Sequence, residues 1–125
     1  MTEVTIYCNR DKSHTTLSNL NIYKVVVENH SELTELCNAI STLMFALSNY
    51  VWSNDLKNNN AGDVAEHINT NHEIDKEKGY FMFEIKRGIT NQIITAFDFF
   101  YMSILMLQDS YPSMINVKIK QGNFS

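Results

Sequence analysis

The chain has 125 residues, 44% of them hydrophobic, which suits one compact domain (residues 1–125) whose core needs no disulfide or metal to staple it. Ten basic residues against fourteen acidic ones leave a net charge of −4, and no stretch gathers Lys or Arg into a phosphate-tracking stripe, which argues against nucleic acid as a direct partner. Two cysteines are too few for a secreted disulfide framework, and no apolar run has the length of a membrane span or the flanks of a signal peptide, so a reducing cytoplasm is the expected compartment.

Val4-Thr5-Ile6-Tyr7 and Ile22-Tyr23-Lys24-Val25-Val26-Val27 are β-branched and aromatic runs separated by polar residues from Asn9 to Asn21, the pattern of a hairpin with a long loop. At Leu33 the period changes. Leu33, Leu36, Ile40, Leu43, Leu47 and Tyr50 recur at steps of three and four, with Met44 and Val51 alongside, and predict one face of a helix of about five turns. Asn54 to Gly62 reads as a polar breaker, and Asp63 to Lys78 lacks clear periodicity apart from a short strand expected around Val64 to Ile68.

Gly79 opens a further strand, Tyr80-Phe81-Met82-Phe83-Glu84-Ile85, closed by Arg87-Gly88. Thr90 can cap a second helix that carries Ile93, Ile94, Phe97, Phe100, Tyr101, Ile104, Leu105 and Leu107 and stops before Tyr111-Pro112. Phe99, Met102 and Met106 make that helix apolar almost all round, so it needs cover on more than one side, from a sheet and from either the first helix or a second subunit. From Ile115 to Lys120 the chain alternates as a half-exposed strand does. The order β-β-α-β-α-β predicts an α+β domain, with helices packed on a mostly antiparallel sheet.

Chemistry concentrates at His30, which ends the second strand, and Cys37, near the start of the first helix. A thiolate is favoured at a helix N-terminus, where unpaired N–H groups and the positive end of the macrodipole support negative charge. If Thr34 caps the helix, Cys37 lies roughly 4.5 Å along the axis and His30 can fold back onto it; if Ser31 is the cap, the separation is about 9 Å and that support has faded. Leu33 already fits the helical stripe, Cys37 falls on the same face, and Glu32 and Glu35 add negative charge nearby, so a buried, inert thiol is the competing reading.

The other candidates read as structural or solvated. His14, His67 and His72 sit in polar segments, and the spacing of the last two, without a cysteine nearby, is a weak metal signal. Cys8 has only Arg10 as a basic neighbour. Ser41 has no paired base, and Tyr50 and Trp52 fit a core-closing role. No cofactor or metal site is predicted.

Several strings resemble the ribosomal-processing cysteine protease family, often called Prp. Its members have a strand ending in Gly-His, a glycine-containing loop, and a helix opening Asp-Ile-Val-Cys-Ala-Ala-Val-Ser; the corresponding segments here are Val25-Val26-Val27-Glu28-Asn29-His30 and Thr34-Glu35-Leu36-Cys37-Asn38-Ala39-Ile40-Ser41. The similarity continues through Gly79-Tyr80-Phe81, the second apolar helix, and Tyr111-Pro112 leading into Ile115-Asn116-Val117, and so covers most of the chain. Asn29 stands for the glycine, Thr34 for the helix-opening Asp, and only Ser31-Glu32-Leu33 separate His30 from Thr34, so the glycine-rich loop is largely missing.

The resemblance implies a cysteine endopeptidase with Cys37 as nucleophile and His30 as general base and acid. Backbone groups opening the helix, at Thr34 and Leu36, would be the cap or oxyanion candidates. It also implies a peptide or protein substrate, with the N-terminal extension of a large-subunit ribosomal protein as the family precedent, and a homodimer. The rival is a catalytically silent module that keeps the fold and binds a peptide or ribosomal protein; an origin in a phage or prophage is compatible with either.

Overall fold

A computed structural model describes residues 1–9, 21–59, 70–86 and 91–122. In chain order the elements are β1 (Thr2–Cys8), β2 (Ile22–Glu28), α1 (Thr34–Asn59), β3 (Thr70–Asp75), β4 (Tyr80–Ile85), α2 (Asn91–Ser110) and β5 (Ile115–Gln121). The domain is α+β as expected, with one strand more than the sequence reading gave. The strand expected at Val64 to Ile68, the Arg87-Gly88 closure, the Thr90 cap, Arg10, and the two histidines His14 and His67 lie outside the described residues.

The five strands form one sheet in the order β3-β4-β2-β1-β5. Three pairings are antiparallel and β1–β5 is parallel, with Thr2 beside Ile115 and Cys8 beside Gln121. Alternation sets the faces. Val4, Ile6 and Cys8 of β1, Val25 and Val27 of β2, and Phe81, Phe83 and Ile85 of β4 share one buried cluster with both helices. Phe83 fixes the layering: it stacks on Phe97 of α2 and meets Trp52 of α1 edge-on, so both helices cover the same face. Glu3, Tyr7, Lys24 and Lys120 alternate onto the opposite face, where both ammonium groups approach the Tyr7 ring.

Leu36, Ile40, Met44, Leu47 and Val51 form the buried stripe of α1. The helix runs to Asn59, into the segment of residues 54–62 expected to break it. Asn and Asp lose only about 0.7 kcal/mol each relative to Ala in a helix, and neither Gly nor Pro intervenes before Gly62, so nothing in that string forces an earlier stop. The additional strand, β3, is an edge strand of six residues with exposed Asn71, His72, Glu73 and Ile74. Its first residue is tied to α1, where the Trp52 indole N–H donates to Thr70 Oγ1 at 3.0 Å. No helix among the described residues is long and apolar enough to cross a membrane.

Candidate functional site

β2 ends at Glu28, and Asn29 then takes a left-handed conformation, φ 69°, that turns the chain away from the sheet. Asn tolerates this angle because its short polar side chain can bond locally. The turn places His30 against the β3–β4 hairpin. Its Nε2 lies 2.7 Å from the Lys76 carbonyl oxygen. Since a carbonyl can only accept, Nε2 carries the proton of that bond, and the lone pair of the neutral ring resides on Nδ1.

The hairpin turn itself is held from within. Asp75 Oδ1 accepts from the N–H groups of Glu77 and Lys78 at 3.1 and 3.2 Å, an Asx-type arrangement that fixes the loop presenting the Lys76 carbonyl. Gly79 closes the loop at φ +64°. A Cβ there would lie 2.7 Å from the His30 backbone nitrogen and 2.9 Å from ring atoms Cγ and Cδ2, so the absent side chain is what lets the imidazole pack on the turn.

On the other side, Ser31 organises the opening of α1. Its Oγ accepts from the Leu33 N–H at 3.1 Å, and the Cys37 N–H donates to the Leu33 carbonyl at 3.1 Å, the first bond of the helical ladder. Leu33 therefore occupies the cap position, one residue before Thr34 and two after Ser31. Cys37 then stands four residues along, about 6 Å from the cap on the helix axis. Its Sγ accepts from the Ser31 N–H at 3.1 Å and donates back to the Ser31 carbonyl at 3.4 Å.

His30 and Cys37 line one cleft of about 330 Å³, together with Ser41, Met44 and Phe45 of α1 and with Ile74, Lys76 and Tyr80 from the hairpin side. Cys37 is half-buried at the margin of the apolar stripe, whereas Cys8 is fully buried in the core. His30 and Cys37 are not hydrogen-bonded to each other; each is bonded instead to a neighbouring backbone. Thr34 opens α1 in an exposed position and Leu36 is fully buried beneath it, and neither lines the cleft. Burial first, then the Glu73 and Glu28 carboxylates and Tyr7, raise the Tyr80 phenol above its ordinary value.

Ser41, which has no paired base in the sequence, is exposed on the cleft one turn beyond Cys37. Asp75 and Lys76 fall in the segment without periodicity, and Gly79 reads there only as the opening of a strand. The signal was present in turn chemistry: an Asx residue, three polar positions and a glycine directly before a strand pattern. His72 packs edge-on against Trp52, and the described residues contain no group of three or more metal-ligating side chains.

No protein-family model matches the chain, and no curated protein does. Solved structures do. The ribosomal processing protease Prp from Staphylococcus aureus, in complex with a covalently linked product peptide, superposes with a TM-score of 0.69 at 13% identity, over 96% of this chain and 100% of that one. SMU.848 from Streptococcus mutans gives 0.63 at 21% identity, over 98% and 96% of the two chains. The Staphylococcus aureus protease with a substrate peptide gives 0.55 at 14% identity, again over 96% and 100%. Likeness along nearly the whole of each chain shows that this protein has the fold of the Prp protease.

Proposed function

We propose that this protein is a cysteine endopeptidase of the Prp kind, with Cys37 as nucleophile and His30 as general base and acid. One observation carries the reading: the thiol and the imidazole, seven residues apart in the chain, line the same cleft at the opening of α1. Nδ1 of His30 is the nitrogen available to accept the thiol proton, because Nε2 is engaged with Lys76. The Ser31 N–H directed at Sγ and the nearby helix terminus both favour the thiolate.

In this mechanism Sγ gives its proton to Nδ1 and attacks a peptide carbonyl, forming a C–S bond as the carbonyl electrons move onto oxygen. Collapse breaks the C–N bond, and Nδ1–H protonates the departing amine. Water then loses a proton to Nδ1, attacks the thioester and releases the acid, and the proton returns to sulfur. Because Thr34 and Leu36 do not line the cleft, their N–H groups act through the field of the helix end rather than by direct contact with the oxyanion.

The substrate in this reading is a peptide or protein, as the peptide complexes of the Staphylococcus aureus enzyme suggest, with a ribosomal-protein N-terminal extension as the first candidate. Asn29 and the short Ser31-Glu32-Leu33 connection mark the chain as a divergent member, and a reducing, cytoplasmic compartment suits its thiols. A homodimer is proposed from the exposed Phe99, Met102 and Met106 of α2.

A second reading, a silent peptide-binding module, draws on the engagement of Sγ with the Ser31 backbone instead of His30. Iodoacetamide labelling of the native protein separates the two. An active dyad gives rapid labelling of Cys37 near neutral pH that falls in His30→Ala, together with cleavage of a precursor ribosomal protein that Cys37→Ala abolishes. Labelling of Cys37 only on denaturation, with no cleavage, overturns the peptidase assignment.

A further inference from the structure

We propose that the β3–β4 turn is a third working part of the dyad: the Lys76 carbonyl fixes the His30 tautomer, and Asp75 is the positioning residue that holds that carbonyl in place. The inference rests on the reading of His30 as the base. It begins from the 2.7 Å contact between Nε2 and the Lys76 oxygen. An exposed histidine without a partner exchanges its proton between two ring nitrogens and turns about its side-chain bonds. Here the carbonyl selects the Nε2–H form, which leaves the basic lone pair on Nδ1 and restricts the ring to orientations that keep the bond.

The carbonyl can do this only if its turn holds shape. Two backbone N–H groups, those of Glu77 and Lys78, converge on Asp75 Oδ1, so one carboxylate oxygen braces the two peptides on either side of the Glu77 Cα, the first of which carries the Lys76 carbonyl. Gly79 provides the second constraint, since its missing Cβ is what brings the turn within reach of the imidazole. Asp75 and Lys76 also line the cleft, so the brace borders the space where substrate would sit. The logic is that of the orienting carboxylate in a Ser-His-Asp triad, which sets tautomer and ring angle without taking a proton. Here a neutral carbonyl takes that place. When Nδ1 accepts the thiol proton, the Nε2–H···O=C bond becomes charge-assisted and strengthens, so the same contact steadies the imidazolium.

The test uses the full chain labelled with ¹⁵N-histidine, with His30 assigned by comparison with His30→Gln. Long-range nitrogen–proton spectra above the ring's titration should give a single Nε2–H tautomer in the wild type. Asp75→Ala should give an averaged mixture and slow Cys37 alkylation roughly ten- to hundredfold, the size of loss that small misplacement of a reacting group causes. Asp75→Asn removes the charge but keeps the Oδ1 acceptor, and should retain both the tautomer and the rate. A tautomer mixture in the wild type overturns the inference even if the alanine variant fails to fold. So does a fixed tautomer and undiminished rate in Asp75→Ala. Alkylation that is indifferent to His30→Ala instead overturns the dyad itself, and is told apart by the His30 spectrum, which does not depend on catalysis.

Discussion

Gly79 meets two demands at one Cα. Its backbone is left-handed, which costs a residue bearing a Cβ about 1–2 kcal/mol, and the space a Cβ would fill is taken by the His30 backbone and ring. Gly79→Ala should therefore destabilise the fold by more than the backbone term alone, visible as a lowered urea midpoint, and should also displace the imidazole and slow Cys37 labelling. Asn29 is the milder case: it is also left-handed but belongs to a residue type that tolerates that region. The sequence displayed the site's two reactive groups, because His30 and Cys37 stand at element ends where the hydrophobic pattern changes. It did not display their hydrogen bonds. Whether Cys37 faced the core or the cleft turned on the helix start, and the cap at Leu33 depends on a Ser31 side-chain bond that no periodicity encodes.

Among the elements, those with a strong apolar repeat were legible. The runs in β1, β2 and β4 place their buried residues as the pattern predicts, and in α1 Leu36, Ile40, Met44, Leu47 and Val51 are buried, whereas Leu33 and Leu43 are half-buried and Tyr50, expected on the same face, is exposed. β3 was not legible because an edge strand needs few buried side chains; among its residues only Thr70 is buried, and Glu73 and Asp75 give it the charges that blunt an open edge. The far end of α1 was missed for the opposite reason, since weak helix formers follow the helix on without a residue to end it. On α2, Asp98 carries its own liability. Burial raises its carboxyl above the ordinary carboxylate value, and Oδ1 has no hydrogen-bond partner among the described residues. A raised folded-state pKa means that stability is fullest below the unfolded value of about 3.9 and is lost as pH rises through the folded value. Asp98→Asn should thus raise Tm at pH 7, with the gain shrinking as the medium is acidified through the folded value and levelling off once the pH reaches about 4 in thermal melts.

At the scale of the whole molecule, the described residues place helices on one face of the sheet only, and the outer side of that helical layer is itself apolar. Phe99 and Met106 are 73% and 69% exposed, values that stand out in a helix whose opposite side is closed by Ile93, Phe97 and Ile104. If a second copy covers this surface, Phe99→Glu combined with Met106→Glu should convert a dimer to a monomer in sedimentation equilibrium while the thermal melt stays cooperative. A wild-type protein that sediments as a monomer at micromolar concentration counts against the dimer. The cleft itself is a product of topology, since α1 and the β3–β4 hairpin, well separated in the sequence, both bring residues to the end of β2.

The parallel register of β1 with β5 has a practical corollary. Thr2 sits at the same end of the sheet as Ile115 and borders the cleft, whereas Gln121 leaves beside Cys8, about 20 Å away at the usual rise per strand residue. Any affinity tag fused ahead of Thr2 would hang over the mouth where a peptide must enter. One attached after Gln121 emerges at the far rim, and assays of this protein are best built on that version.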